Sequence, residues 1–330
     1  MYWQGEIARD VAHAICARAK AGVTCRVRLD AVGAAPMDTS LVDDMADSGV
    51  RVVRFRPPRP YAVKRLQHRT HRRLVIADGR VGMTGGVGIA EEWTGNAEDP
   101  DHWRDTHVRV RGPVVRGLQG AFAENWLEAT GHVLADGDDL PPLEPVDGGG
   151  AMQVMRSRAG VGDTNAEALY YLAIASARKS SELTSAYFAP RPAFNKALAE
   201  AAGRGVDVRV LVPGRHIDKQ FVRVAGQASY GPLLEAGVRI FEYQQTMLHA
   251  KVMIADGWAN IGSSNLEHRS LGLDDEVIVA FADAGLVDEL ARQFHDDLRV
   301  SEEFDLDRWR RRPLTKRAKE AAGDLLRQSF

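Results

Sequence analysis

Two histidines in this chain each stand two residues ahead of a cation and seven ahead of an aspartate. The first set is His71, Arg73 and Asp78 in HRRLVIADG; the second is His249, Lys251 and Asp256 in HAKVMIADG. An imidazole can attack phosphorus or shuttle a proton, and a fixed cation beside it can hold phosphoryl oxygens. Side chains two apart on a strand share a face, so each His should project together with its cation. Small residues follow both sets, Gly85 and Gly86 in one and Gly262, Ser263, Ser264 and Asn265 in the other. They let the backbone approach an anion closely. The chemistry these residues could do is phosphoryl transfer.

The surroundings of the two sets also match. SGVRVVRF precedes the first and AGVRIFEY the second, while MTGGVGIA and NIGSSNLE follow. A repeat of this length implies two homologous halves, each carrying half of one site or a whole site of its own. The runs LVIA and VMIA, each followed by Asp-Gly and another short run, read as β-hairpins with turns at Asp78-Gly79 and Asp256-Gly257. Helices are expected at about 165–179 and 194–203, with strands ending at Tyr187 and covering Val206 to Val212. Each half should close with a helix whose apolar residues lie four apart: Leu118, Phe122, Trp126 and Leu290, Phe294, Leu298. Alternating strands and helices imply an α/β sandwich. The expected organisation is a first half at 1–135, a Pro/Gly-rich acidic linker at 136–150, a second half at 151–300 and a basic tail at 301–330. Tyr2 aligns with Tyr187, so the first half is expected to lack a counterpart of the opening helix and most of the first strand.

At these residues the chain resembles the phospholipase D superfamily, whose signature is His-x-Lys, four residues, then Asp, used twice. The second half matches in full through His249, Lys251, Asp256, Gly262, Ser263 and Asn265. Wider wording, including AYFAP, RGVDVRVLVPG, TMLHAKV and WRDTHVRVRGPVV, is similar to the bacterial cardiolipin synthase branch. The resemblance implies two halves packed about a pseudo-twofold and metal-free, ping-pong transfer through a phosphohistidine. It implies His71 as nucleophile and His249 as acid, with the reverse assignment left open. Asp105 and Glu276 stand where the family keeps a carboxylate that orients a histidine, whereas Asp78 and Asp256 read as turn and support residues. The implied substrate is an anionic phospholipid, phosphatidylglycerol first, met at a membrane surface by a peripheral protein on the cytoplasmic side. A catalytically weakened lipid-binding relative is the alternative. The first half departs from the pattern at Arg73, in place of Lys, and at Gly88, in place of Asn. A planar guanidinium does not replicate an ammonium, so Arg73→Lys is expected to raise turnover.

Composition sets outer bounds. The 330 residues are 45% hydrophobic and 27% charged, with a net charge of −2 that gives no global attraction to nucleic acid. Few aromatics stand near the motifs in sequence, which also disfavours a nuclease. No apolar run is long enough to span a bilayer. Cys16 and Cys25 read as small buried residues of a reducing compartment. His68 and His71 have metal-ligand spacing without an acidic or Cys neighbour, so neither metal nor cofactor is called for. His102, His107, His216 and His268 flank the motifs and are candidates for the cleft wall. Positive charge is concentrated from Arg51 to Arg73, with nine Lys or Arg and no acid, and from Arg308 to Lys319, with seven and no acid. The first run leads into the catalytic His and is expected to serve an anionic substrate; the second could draw the protein to an anionic bilayer.

Overall fold

In the computed structural model, residues 3–58, 68–134, 140–158, 163 and 165–313 are described. The largest element is an eight-stranded mixed sheet in the order β15-β10-β9-β7-β11-β12-β14-β6. Its strands are β6 (Met152–Ser157), β7 (Ser180–Ser185), β9 (Asp207–Pro213), β10 (Arg239–Tyr243), β11 (Lys251–Ala255), β12 (Trp258–Gly262), β14 (Glu276–Phe281) and β15 (Ser301–Glu303). One face is covered by α4 (Asn165–Ser176), α5 (Pro192–Gly203) and α7 (Tyr230–Glu235), through a core that includes Tyr170, Phe194, Leu198 and Leu233. The opposite face packs on a three-stranded sheet and on α9 (Ala284–Arg299). That smaller sheet is antiparallel, ordered β3 (Leu74–Ala77), β4 (Val81–Gly85), β5 (His107–Arg111). The architecture is therefore α/β, with helices outside and two sheets meeting inside.

The helix ends follow from local chemistry. Asp283 caps α9 by accepting from the Leu286 amide, and its stripe of Val287, Leu290 and Phe294 faces the core. Pro192 opens α5, where a missing amide hydrogen does no harm. The helix α3 (Val115–Thr130) stops at Gly131, which takes the left-handed conformation that glycine adopts without a Cβ clash. Leu118, Ala121 and Trp126 of α3 are buried, while the expected Phe122 is only half-buried and stacks on Trp126.

A third core is separate. The helices α1 (Gly5–Lys20) and α2 (Thr39–Asp47) pack on a two-stranded parallel sheet of β1 (Arg26–Asp30) and β2 (Arg51–Phe55). Cys16 is buried on α1, while Cys25 is partly exposed just ahead of β1; both are free thiols. Among the described residues no strand joins β1 to β3, whereas β7 joins β9 to β11. Residues 140–150 of the expected linker form coil, pinned where Arg116 donates to the carbonyl of Pro141; residues 136–139 lie outside the described residues.

The two motif hairpins differ by one residue. β11 and β12 close Ala255 on Trp258, with Asp256 and Gly257 between them. β3 and β4 close Ala77 on Val81, so Arg80 joins Asp78 and Gly79 in the turn. Asp78 and Asp256 nevertheless share a left-handed backbone, at φ 53° and 52°.

Candidate active site

The site is built by backbone pairing between distant parts of the chain. Neither histidine lies in the strand of its motif hairpin; each sits just ahead of it, held by a bridge to another segment. The His71 amide donates to the Asp275 carbonyl at 2.9 Å, and the Asp275 amide donates to the Arg69 carbonyl at 2.8 Å. The His249 amide donates to the Arg104 carbonyl at 2.7 Å, and the Arg104 amide to the Met247 carbonyl at 2.9 Å.

That stitching decides which carboxylate meets which ring. Asp105, next after Arg104, brings Oδ2 to 2.7 Å from His249 Nδ1. Glu276, next after Asp275, brings Oε1 to 3.1 Å from His71 Nδ1, which also lies 2.9 Å from the Ser263 carbonyl. Each orienting carboxylate thus serves the histidine of the other motif. A carbonyl can only accept, so His71 Nδ1 carries the hydrogen and Nε2 keeps its lone pair. The carboxylate of Asp105 imposes the same tautomer on His249.

The cations occupy unequal settings. Lys251 is 1% exposed, with Nζ 2.9 and 3.0 Å from the two ring nitrogens of His249 and donating to that residue's carbonyl. Arg73 is also buried, with its guanidinium 5.2 Å from the centre of the Trp93 ring and Nη1 3.9 Å from Asp105 Oδ2. Arg73 is held in a packed wall.

Burial and like charge dominate the electrostatics. Burial, followed by the charges of Arg73 and Lys251, pushes His71 well below the usual imidazole range. Burial and Lys251 do the same to His249, against the opposing pull of Asp105. Lys251 falls to about 7 through burial, with Arg73 adding to the fall and Asp105 resisting it. Burial alone would raise Asp105, but His249, Lys251 and Arg73 more than offset it and hold the carboxyl at about 2. Glu276 rises to about 8 by burial, against the hydrogen bonds it accepts from Ser263 and Ser270. The Asp105 carboxyl is therefore ionised at neutral pH. With no anion present, both imidazoles are neutral.

Other expected residues are placed as follows. Gly85 and Gly262 end β4 and β12. A Cβ at Gly86 would lie 2.1 Å from Asp105 Oδ1, so a side chain there would displace the carboxylate. Ser263, at the matching position, instead donates its hydroxyl to Glu276. Ser264 and Asn265 are buried beside it, and the Asn265 amide donates to Ser270 Oγ at 2.8 Å. Asp78 and Asp256 are not brought to the cluster. They sit in exposed hairpin turns, a strand's length of roughly 13–17 Å from the histidine end. Asp256 there accepts backbone hydrogens from Arg178, Lys179 and Ser180. Of the flanking histidines, His102 pairs with Asp99, His268 meets Arg191, and His216 meets Arg215. His107 lines a cavity of about 520 Å³ beside Asp105 whose walls include neither motif histidine.

Three guanidiniums of the basic run from Arg51 to Arg73 are engaged within the fold. Arg56 pairs with Glu128 and Arg69 with Asp30. Arg72 donates to the carbonyls of Ala121 and Ser157, both at 2.7 Å. These guanidiniums tie segments together, because their partners lie far away in sequence. Arg59, Lys64 and Arg65 fall outside the described residues. In the C-terminal run Trp309 is buried under Arg312, 3.8 Å from its ring centre, and Arg310 reaches Glu235. Lys316, Arg317 and Lys319 fall outside the described residues.

Sequence reading missed the aromatic wall. The rings of Trp93 and Trp103 each lie 5.4 Å from that of His249, and Tyr187 lies 6.3 Å away. Aromatics are thus close to the site in space. The available signal was a pair of tryptophans, Trp93 and Trp103, in the segment leading to Asp105.

Residues 170–298 match the family described as "Cardiolipin synthase, PLD-like domain". The cardiolipin synthase of Geobacillus kaustophilus (strain HTA426) is 36% identical over 327 residues, covering 97% of this chain. The chain is thus similar to phospholipase D-like cardiolipin synthases along nearly its whole length. Cardiolipin synthase 2 of Bacillus anthracis is likewise 36% identical over 328 residues and 97% of this chain. The chain spans 64% and 63% of the length of these two relatives. The structure of phosphatidylserine synthase from Haemophilus influenzae Rd KW20 superposes over 100% of this chain and 88% of that one, with a TM-score of 0.74 at 13% identity. That likeness shows a shared fold. Among the described residues no helix is long and apolar enough to cross a membrane.

Proposed function

We propose that this protein transfers a phosphatidyl group between alcohols, in the manner of a cardiolipin synthase, through a phosphohistidine. The observation that carries the reading is the crossed arrangement, in which each motif histidine is oriented by a carboxylate that follows the other motif. It supports one composite centre made by two halves of a repeat about a pseudo-twofold, at 1–135 and 151–300.

His71 Nε2 attacks phosphorus, and the bond from phosphorus to the leaving glycerol oxygen breaks as that oxygen takes a proton from His249 Nε2. In the second half-reaction an acceptor alcohol gives its proton back to His249 Nε2 while its oxygen attacks phosphorus. The phosphorus–nitrogen bond then breaks and frees His71. The asymmetry of the carboxylates favours these roles. Asp105 is ionised and can support an imidazolium on His249, whereas Glu276 is held towards its neutral form beside His71. Arg73 and Lys251 neutralise the phosphoryl oxygens. An arriving phosphodiester anion also offsets the two cations that suppress imidazole basicity, so His249 gains its proton as substrate binds. Asp78 and Asp256 set the hairpins and touch no substrate.

The substrate follows from the relatives' names and the two buried cations: an anionic phospholipid, phosphatidylglycerol first, met by a peripheral protein at the cytoplasmic membrane face. Purified protein incubated with labelled phosphatidylglycerol, with and without glycerol, tests the reading. Formation of cardiolipin, reversed by glycerol, is expected. Phosphatidic acid alone would mean hydrolysis, and lipid binding without turnover would reject the catalytic reading.

A further inference from the structure

Among the positions at which the first motif differs from the second are Arg73, against Lys251, and Gly88, against Asn265. Both differences converge on Trp93. The guanidinium of Arg73 lies 5.2 Å from the Trp93 ring centre. A Cβ at Gly88 would lie 2.9, 3.0 and 3.1 Å from three carbons of that ring, so the indole fills space that a side chain at Gly88 would need. Trp93 Nε1 donates at 2.8 Å to Asp105 Oδ2, the oxygen that also holds His249 Nδ1.

The second motif has a parallel device. Trp93 is five residues beyond Gly88, and Ser270 is five beyond Asn265. Ser270 Oγ donates at 2.5 Å to Glu276 Oε1, the oxygen facing His71. In both motifs, then, a side chain at the same offset holds the carboxylate that orients the opposite histidine. A hydroxyl performs the task beside Asn265, and an indole performs it over the bare backbone of Gly88.

We propose that Trp93 is a positioning residue for His249, acting through Asp105, and that Arg73, Gly88 and Trp93 form one matched set. The proposal rests on the phosphoryl-transfer reading above. A planar guanidinium can lie against an indole face while an ammonium makes a point contact. Arg73 is therefore the cation suited to a wall made of tryptophan, and Gly88 is the residue that admits that wall. The first motif is re-engineered around an indole and has not decayed. Arg73→Lys accordingly lowers turnover, the reverse of the expectation from sequence.

The test uses Trp93→Phe, which keeps an aromatic face and removes the N–H. Losing a hydrogen bond to a charged oriented group should lower kcat by about tenfold or more, with KM within about twofold of the parent. The charged groups that face the His249 ring, namely Asp105, Lys251 and Arg73, are unchanged in this variant. Asp105 loses a competing donor, so His249 should titrate at higher pH and the corresponding limb of the pH–rate profile should move up. Arg73→Lys should reduce kcat by about tenfold in the parent and by less than about twofold in Trp93→Ala, where the stacking partner is already gone. An Arg73→Lys enzyme as fast as the parent, or losses that simply multiply, would overturn the matched set. An inactive parent would reject the phosphoryl-transfer reading alone, since NMR titration of the His249 ring still decides the proposal. An upward shift in Trp93→Phe supports it and an unmoved titration rejects it.

Discussion

β3 and β11 carry nearly the same words, LVIA and VMIA, in opposite environments. Every residue of β11 is buried, whereas Val75 on β3 is 56% exposed and Ala77 is exposed too. The cause is topological. β11 is hydrogen-bonded on both sides, to β7 and β12, while among the described residues β3 pairs with β4 alone. Repeated residues therefore determine local shape, a strand leading to an Asp-Gly turn, but neighbours decide how deeply that shape is packed. The chemistry at the head of each strand is conserved in spite of this, because it is held by cross-links to the other motif and owes little to the strand's own sheet.

The comparison can be broken most forcefully at the histidines. His71→Ala and His249→Ala should each reduce turnover by at least about 10²–10⁴-fold, the range of a lost proton-transfer group. A phosphodiester with an acidic phenol as leaving group should restore much of the activity of His249→Ala and none of His71→Ala, since such a leaving group needs no proton. Equal rescue of both variants would remove the division between nucleophile and acid.

The cations come next. Lys251 is sealed against the His249 ring, so Lys251→Arg should lose about 10²-fold in kcat through displaced reacting groups. That exceeds the loss of about tenfold given above for Arg73→Lys. Rates measured side by side on one substrate check the ranking, and a reversed order would show that the first cation is the more tightly specified.

Stability should separate the strands themselves. Ile254→Ala removes a core side chain that is 4% exposed and should destabilise by about 2–5 kcal/mol. Val75→Ala should stay within about 0.5 kcal/mol of the parent by denaturant unfolding. A large effect at Val75 would mean that β3 is covered in solution.

The smallest effect concerns pH. The Glu276 carboxyl is raised from its ordinary value of 4.5 to about 8, so the stability it contributes is present below about 4.5 and lost as pH rises towards 8. Glu276→Gln should therefore raise the melting temperature at pH 8 relative to its effect at pH 5, by roughly 2–4 °C per kcal/mol recovered. An identical change at both pH values would mean that Glu276 is ionised in the folded protein.

Much of this was legible in the sequence, for identifiable reasons. The expected helix at about 165–179 runs from Asn165 to Ser176, and the strand expected at Val206 to Val212 runs from Asp207 to Pro213. The helix is set by local propensity, being rich in Ala and Leu, and the strand by its β-branched run. The positions of His71, His249, Asp105 and Glu276 could be singled out because the repeat and the family wording mark them. Their crossed pairing could not, since it depends on bridges between Thr70 and Asp275 and between Arg104 and Leu248. The internal pairing within the basic run was hidden for a related reason. The acids that neutralise Arg69 and Arg56 lie 39 and 72 residues away, where a local count of charge does not reach. Trp93 went unnoticed because its importance lies in what Gly88 lacks.

The central claim, that each motif histidine is oriented by the carboxylate following the other motif, is tested most directly by nitrogen NMR of the two ring systems. Spectra of the parent, Asp105→Asn and Glu276→Gln would report ring tautomer and titration separately for His71 and His249. Asp105→Asn should shift the signals of His249 and leave those of His71 nearly in place, and Glu276→Gln should do the opposite. If Asp105→Asn instead moved His71, and Glu276→Gln moved His249, each motif would carry its own orienting carboxylate and the composite site described above would be wrong.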